Sequence, residues 1–303
     1  MLNGILKENF YYGNGVSEMK KFFLFLIGFM ALVTLTACGN KAVENNAETQ
    51  TTTSKARPAN PKSDVPTVFI HGYGGTINSF GGMIQRLTAD GKTKKEMLIT
   101  VQPDGTLQVN GQLSKQKDNP SIQVLFVANK DNEWNQTEWI YGVLKYLKQQ
   151  GVDQVNLVGH SMGGVSSLRY LTTYGQPNDA PTIRKFISIG APFNDFTDTA
   201  NQQSVEELLQ NGPSQPASRY VDYRNGVENV PSQLPILMLA GKLNEQATSD
   251  GTVPLNSALA TYSLLKAHGN PIEYQIFTGA NAQHSQLHEN RQVDQAVANF
   301  LWK

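Results

Sequence analysis

The stretch "DQVNLVGHSMGGVSSLRYL", Asp153 to Leu171, decides how this chain is read. A mostly apolar run, Val155 to Val158, stops at Gly-His-Ser-Met-Gly-Gly, and apolar residues then recur at helical spacing. A strand therefore meets a helix at Ser161. A serine hydroxyl is a weak nucleophile. It becomes useful when a base takes its proton, amide donors face the developing oxyanion and the turn exposes it. Such a turn crowds strand against helix, so small residues are needed on both sides. Gly159 and Gly163 supply them. The helix aims its N-terminus at the site, which makes the Met162 amide one candidate oxyanion donor.

The rest of the chain is read for what Ser161 needs. "FIHGYGG", Phe69 to Gly75, ends a buried strand with a backbone able to point amides into a pocket. The Tyr73 amide is the second candidate donor, with His71 and Gly72 as support. His71 precedes Ser161 in the chain and is given a positioning role. In "ATSDGTVPLNSA", Ala247 to Ala258, Asp250 lies in a loop beyond a strand and can orient an imidazole. Asp195 and Asp198, after the previous strand, are the alternative acids. "ANAQHSQLHEN", Ala280 to Asn290, carries two histidines before the final helix. His284 is chosen as base. His288 is expected in or near the helix with a solvated or capping role, and His268 as a charge complement at another helix end.

Short apolar runs alternate with helical patterns from Val65 onward, and the runs are near-continuous, as in strands covered on both faces. The expected class is α/β, with a mostly parallel central sheet flanked by helices. "LITVQPDGTLQVNG", Leu98 to Gly111, breaks the alternation: two runs flank Pro-Asp-Gly, which predicts a hairpin inserted at one sheet edge. Helices are expected over Glu138–Val152 and Asn256–His268, and a strand over Lys185–Pro192. Between the strands "KFISIGAP" and "PILMLAGK", residues 193–233 form a small polar cap. In it Ser204 and Glu207 make a capping box for a helix ending at Gly212. Val205, Leu208 and Leu209 are expected to pack down. Phe193 and Phe196 are expected either to line an acyl pocket or to join the core.

The order Ser161, Asp250, His284 is that of α/β-hydrolases. "FIHGYGG", "VNLVGHSMGG", "ISIGAPFND", "SDGTVPLNSA" and "AQHSQLHEN" together resemble a family of α/β-hydrolases from Gram-positive bacteria known as membrane-bound cell-surface hydrolases. The resemblance covers about residues 65–303. It implies the α/β-hydrolase fold, a hydrolase without a named substrate, and catalytic roles for Ser161, Asp250 and His284.

The 303 residues balance 25 basic against 25 acidic side chains, so no basic stripe points to nucleic acid. The single cysteine, Cys38, excludes an internal disulfide. Before it come Lys20 and Lys21, the apolar run Phe22 to Leu35, and Thr36-Ala37. This is a signal-peptide pattern, and "LTAC" resembles a bacterial lipobox, in which the cysteine is lipidated. Residues 1–37 are read as the signal, with Met19 an alternative start and 1–18 fitting no signal region. Residues 38–64 are read as lipidated cysteine and polar tether, and 65–303 as the hydrolase domain. No phosphate-cradling or dinucleotide motif and no metal-ligand cluster is present, so no cofactor is expected. The expected function is a lipid-anchored serine esterase acting on short-chain or soluble acyl esters. The alternatives are a surface-binding protein on the same fold, an acyltransferase or a lipase.

Overall fold

The structure is a computed structural model that describes residues 61–303. The expected signal, Cys38 and most of the tether lie outside the described residues. No helix among the described residues is long and apolar enough to cross a membrane.

Nine strands and eight helices follow in chain order. They are β1 (Thr67–Ile70), α1 (Asn78–Ala89), β2 (Lys94–Val101), β3 (Leu107–Gly111), β4 (Pro120–Phe126), α2 (Glu133–Gln149), β5 (Gln154–His160) and α3 (Met162–Tyr174). After these come β6 (Thr182–Ile189), β7 (Phe193–Phe196), α4 (Val205–Asn211), α5 (Ser218–Gly226), β8 (Ile236–Lys242), α6 (Leu255–Ala258), α7 (Tyr262–Ala267), β9 (Ile272–Thr278) and α8 (Arg291–Trp302). Eight strands form one sheet in the order β3-β2-β4-β1-β5-β6-β8-β9, and every pairing is parallel except β2 with β3. Successive side chains of a strand face opposite ways. Hence Val68 and Ile70 of β1 join one core with Leu144 of α2 and Leu168 of α3. Phe69 joins the other with Met83 of α1 and Val297 of α8. Both sheet faces are covered, which is why the strands read as continuous apolar runs.

The hairpin forms at the sheet edge as expected, with Val101 opposite Leu107. Asp104 accepts from the Thr106 amide at 2.9 Å, and Gly105 takes φ +85°. Three boundaries differ from expectation. Helix α2 starts at Glu133, because the Asn132 side chain caps the amides of Trp134 and Asn135. Strand β6 ends at Ile189, because Gly190 turns left-handed at φ +56°. The helix expected over Asn256–His268 is two helices, broken where Leu259, Ala260 and Thr261 turn fully into the interior.

In the cap region, α4 carries the Ser204–Glu207 capping box. Leu208 is buried, and Val205 and Leu209 pack against the core as expected. A buried ion cluster fixes α5 to α2 and α3. Glu133 receives Arg169 from α3 and a side-on Arg219 from α5, whose Nε lies 2.9 Å from Oε2. Arg219 also donates to the Pro192 carbonyl at 2.8 Å and meets Asp195 at 2.7 Å. Burial raises the Glu133 carboxyl pKa, but the two guanidiniums more than reverse that and hold it below its ordinary value. Removing one partner of a buried cluster strands the others. Glu133→Ala should therefore lower stability in urea unfolding by about 3–5 kcal/mol. A loss below about 1 kcal/mol, the value of a surface pair, would mean the cluster does not hold the cap.

Candidate active site

Ser161 sits between β5 and α3 with φ +53° and ψ −124°, a backbone conformation that side-chain-bearing residues avoid. Its amide donates to the Ile189 carbonyl at 2.8 Å. The turn is possible because α3 lies directly on β1: a Cβ on Gly163 would stand 2.2 Å from the Ile70 carbonyl oxygen. One on Gly159 would meet the Gly163 carbonyl at 2.5 Å.

The structure brings the three predicted residues together from β5, from the loop after β8 and from the loop after β9. Ser161 Oγ lies 3.0 Å from His284 Nε2, and His284 Nδ1 lies 2.7 Å from Asp250 Oδ2. The other Asp250 oxygen accepts from the amides of Thr252 and Val253 at 2.9 and 2.7 Å, and the His284 amide donates to the Asp250 carbonyl at 2.9 Å. A carboxylate facing Nδ1 keeps the proton there, so the Nε2 lone pair faces the serine hydroxyl, which donates. Asp195 is bound to Arg219, and Asp198 accepts from Ala200 in its own turn, so neither takes this place.

Two backbone amides expected to serve the serine have no partner among the described residues. Met162 opens α3, ahead of the first helical donors Gly164 and Val165, so its N–H has no helical partner. The Tyr73 amide donates to no group of the described residues. The loop that carries it is fastened from below. His71 Nε2 accepts from the Phe126 amide at 3.0 Å, so Nδ1 carries the proton and donates to the Gly72 carbonyl at 2.7 Å. Asn129 adds two bonds, accepting from Gly74 through its carbonyl and donating to Gly75 through its side chain. A Cβ on Gly72 would stand 2.7 Å from that of Ser161.

Several residues have roles that the sequence reading missed or misplaced. His160 donates from Nε2 to the carbonyl of His284 at 3.0 Å, and its ring lies 4.7 Å from that of His284. His288 is buried in the 3-10 turn His284–Glu289, not solvated, and meets the His160 ring edge-on at 4.8 Å. His268 donates across to the Val230 carbonyl at 2.7 Å instead of complementing its own helix end. Phe193 is core, packed on Tyr223, while Phe196 is 62% exposed and outside the cavity lining. Gly190 also matters: a Cβ there would crowd Asp250 Oδ2 at 3.2 Å and His284 Nδ1 at 3.3 Å. The close-packed glycines at 159, 163 and 164 signalled the turn. No spacing signalled the burial of His160.

A cavity of about 340 Å³ is lined by Ser161, His284, His160, Tyr73 and the polar residues of α1 and the 3-10 turn. A larger groove of about 620 Å³ runs between β9 and α8, and none of Ser161, Asp250 and His284 lines it. Among the described residues no group of three or more His, Cys, Asp or Glu is placed to hold a metal ion.

A doubly covered parallel sheet with a strained serine at the turn after its central strand is the architecture of an α/β-hydrolase. The chain belongs to the family described as alpha/beta hydrolase of unknown function (DUF915), whose model matches residues 54–303. No curated protein matches the chain. Among solved structures it is similar to a gene product of Listeria innocua, at 28% identity and TM-score 0.73, covering 79% of this chain and 94% of that one. It shares its fold with a protein from Lactobacillus plantarum WCFS1 named as a cell surface hydrolase. That match has 22% identity and TM-score 0.62, and covers 78% of this chain and 89% of that one.

Burial holds the pKa of His71 and His288 below the ordinary imidazole value and that of His160 well below it; for His160 the neighbouring His284 and His288 add to the effect. An unfolded imidazole takes its proton near pH 6.5. Below that pH the unfolded chain binds protons that the native protein refuses. Stability is thus fully present above about pH 6.5 and is lost as pH falls. The midpoint of thermal unfolding should drop between about pH 6.5 and 5. His160→Phe, which removes one of the three imidazoles, should make that drop shallower. An unchanged slope would mean that His160 is protonated in the native state.

Proposed function

We propose that the protein is a serine hydrolase that cleaves carboxylic esters with a small acyl group through an acyl-enzyme on Ser161. The observation that carries this reading is the chain of contacts Asp250–His284–Ser161, at 2.7 and 3.0 Å, closed on a strained serine. Ser161 Oγ attacks the ester carbonyl carbon while His284 Nε2 takes its proton. The amides of Tyr73 and Met162 receive the oxyanion. As the carbon–oxygen bond to the alcohol breaks, His284 returns the proton to the leaving oxygen. Water then repeats the sequence on the acyl-enzyme and frees the acid. Asp250 keeps Nδ1 protonated and supports the imidazolium.

The cavity lining supports a small acyl group. No Val, Leu, Ile, Met or Phe stands in it, and its rings are Tyr73 and the imidazoles of His160, His284 and His288, so a long chain would find little apolar wall. The lipobox at Cys38 supports a lipid anchor outside the cell membrane, in keeping with a fold relative named as a cell surface hydrolase.

Ser161→Ala and His284→Ala should each lower turnover of a short-chain ester by roughly 10⁴ or more, with folding retained. Retention of most activity in Ser161→Ala would remove the nucleophile from the reading. His160→Phe leaves the His284 carbonyl without its donor and should slow labelling of Ser161 by a fluorophosphonate about tenfold. An unchanged labelling rate would show that the contact does not position His284. Mass spectrometry of the native protein should find a diacylglyceryl-modified Cys38 at the N-terminus. An unmodified peptide spanning Thr36 to Asn40 as the main species would exclude the anchor.

A further inference from the structure

We infer that the alcohol part of the substrate is a sugar, so that the site removes acetyl-sized groups from hydroxyls of a pyranoside. This rests on the hydrolase reading above and names the substrate class of the same site. Ligand pockets are lined mostly by apolar and aromatic side chains, with a few polar groups that set orientation. The cavity over Ser161 departs from that pattern. Apart from glycines, every residue lining it carries a nitrogen or oxygen on its side chain.

The polar groups stand on both flanks of the serine and are free to bind. Asn78 and Ser79 come from the start of α1, and Ser285 and Gln286 from the 3-10 turn after His284. The side chains of Asn78, Ser285 and Gln286 make no hydrogen bond to the described residues. The Ser79 hydroxyl accepts from the Thr76 amide and keeps its own proton to donate. The carboxylate of Glu289 stands in the same lining and is steered by Arg86 at 2.6 Å and by His288 Nδ1 at 3.2 Å. Held in place by these two donors, it offers a substrate an acceptor for hydroxyl donors. The Tyr73 ring, 59% exposed, stands in this lining and offers the one flat apolar surface.

Adjacent hydroxyls presented on a ring with an apolar face match this set of amides, hydroxyls, a carboxylate and an aromatic ring. A fatty alcohol or long acyl chain would cover these exposed groups without bonding them and so forgo what a sugar's hydroxyls supply. The reaction needs no added reagent. The acyl–oxygen bond of the sugar ester breaks as the bond to Ser161 Oγ forms, the sugar hydroxyl leaves with the proton from His284, and water releases acetate.

One observation favours a lipid surface instead. Ile77 and Val127 on the loops after β1 and β4, Trp134 in the first turn of α2 and Phe196 at the end of β7 are exposed in the segments that follow β1, β4 and β6. None of them lines the cavity, so they bear on what the face touches and not on what the serine receives.

The test uses the mature chain and three probes: mono-O-acetyl methyl glucopyranosides, hexyl acetate, and phosphatidylglycerol vesicles carrying a long-chain ester. We expect kcat/KM for the best acetyl sugar to exceed that for hexyl acetate by at least roughly 100-fold, since a site built to bond hydroxyls rejects analogues without them. The same ratio should fall about tenfold or more in Asn78→Ala and in Gln286→Ala. Equal or better turnover of hexyl acetate overturns the inference, and fluorophosphonate labelling of Ser161 then shows that the hydrolase reading survives it. A rate rise on vesicles with long chains favoured also overturns it, in favour of a lipid substrate. Absence of both labelling and turnover on every probe overturns both.

Discussion

The backbone at Ser161 is the constraint on which the rest of the site depends. A non-glycine residue at φ +53° is a conformation costing on the order of 1–3 kcal/mol, and it persists only where its surroundings leave no alternative. Here the surroundings are three strands and a helix. The serine amide is held by β6 through Ile189, and its carbonyl by Gly164 and Val165 of α3. The helix is pressed onto β1 so closely that the Ile70 carbonyl leaves no room for a Cβ at 163. Relaxing the serine would mean lifting α3 from the sheet and opening the core that Val165 and Leu168 share with β1 and β5. The strain is thus held by apolar packing some distance from the hydroxyl.

The same parallel sheet explains why the partners arrive where they do. In an open α/β sheet the loops beyond the carboxyl ends of the strands gather at one edge. Tyr73 follows β1, Ser161 follows β5, Gly190 follows β6, Asp250 follows β8 and His284 follows β9. Neighbouring strands in the order β1-β5-β6-β8-β9 therefore line up the proposed donor, nucleophile, acid and base in space, with Gly190 between them, although they are scattered along the chain. Gly190 works by absence: it leaves the gap in which the Asp250 carboxylate and the His284 ring meet.

That logic fixes what could be read in the sequence. The serine turn was legible because steric crowding is written directly as glycine at 159, 163 and 164. Asp250 and His284 could be chosen because each lies in a loop just beyond an apolar strand run, in the chain order Ser, Asp, His. The hairpin was legible because Pro-Asp-Gly specifies its own turn. What escaped were consequences of tertiary burial. The start of α2 depended on the Asn132 cap, hidden in a polar run. The break at Leu259–Thr261 depended on an interior that draws the chain inward. Glu133 carries no signal in the sequence, lying before the expected helix, and its role shows only when Arg169 and Arg219 close on it from two other helices. His288 reads as a helix residue because it lies four after His284, whereas the segment winds as a tighter 3-10 turn and buries it.

The buried histidines also bear on where the proton of the reaction can reside. Four imidazoles lie in or beside the site, and the proposed mechanism requires one of them to become cationic. His71 is committed to a neutral form by its two backbone bonds, and burial disfavours charge on His160 and His288. A second cation at the position of His160, 4.7 Å from the His284 ring, would oppose the imidazolium by about 3–4 kcal/mol at an effective dielectric of about 20. That is a factor of several hundred in the population of the protonated base. A neutral His160 removes this penalty and still donates its N–H to the His284 carbonyl. A phenylalanine there would be equally uncharged but would leave that carbonyl unpaired, and a lysine would donate but bring the charge. Among these side chains, only a histidine held neutral by burial donates the bond without bringing the charge.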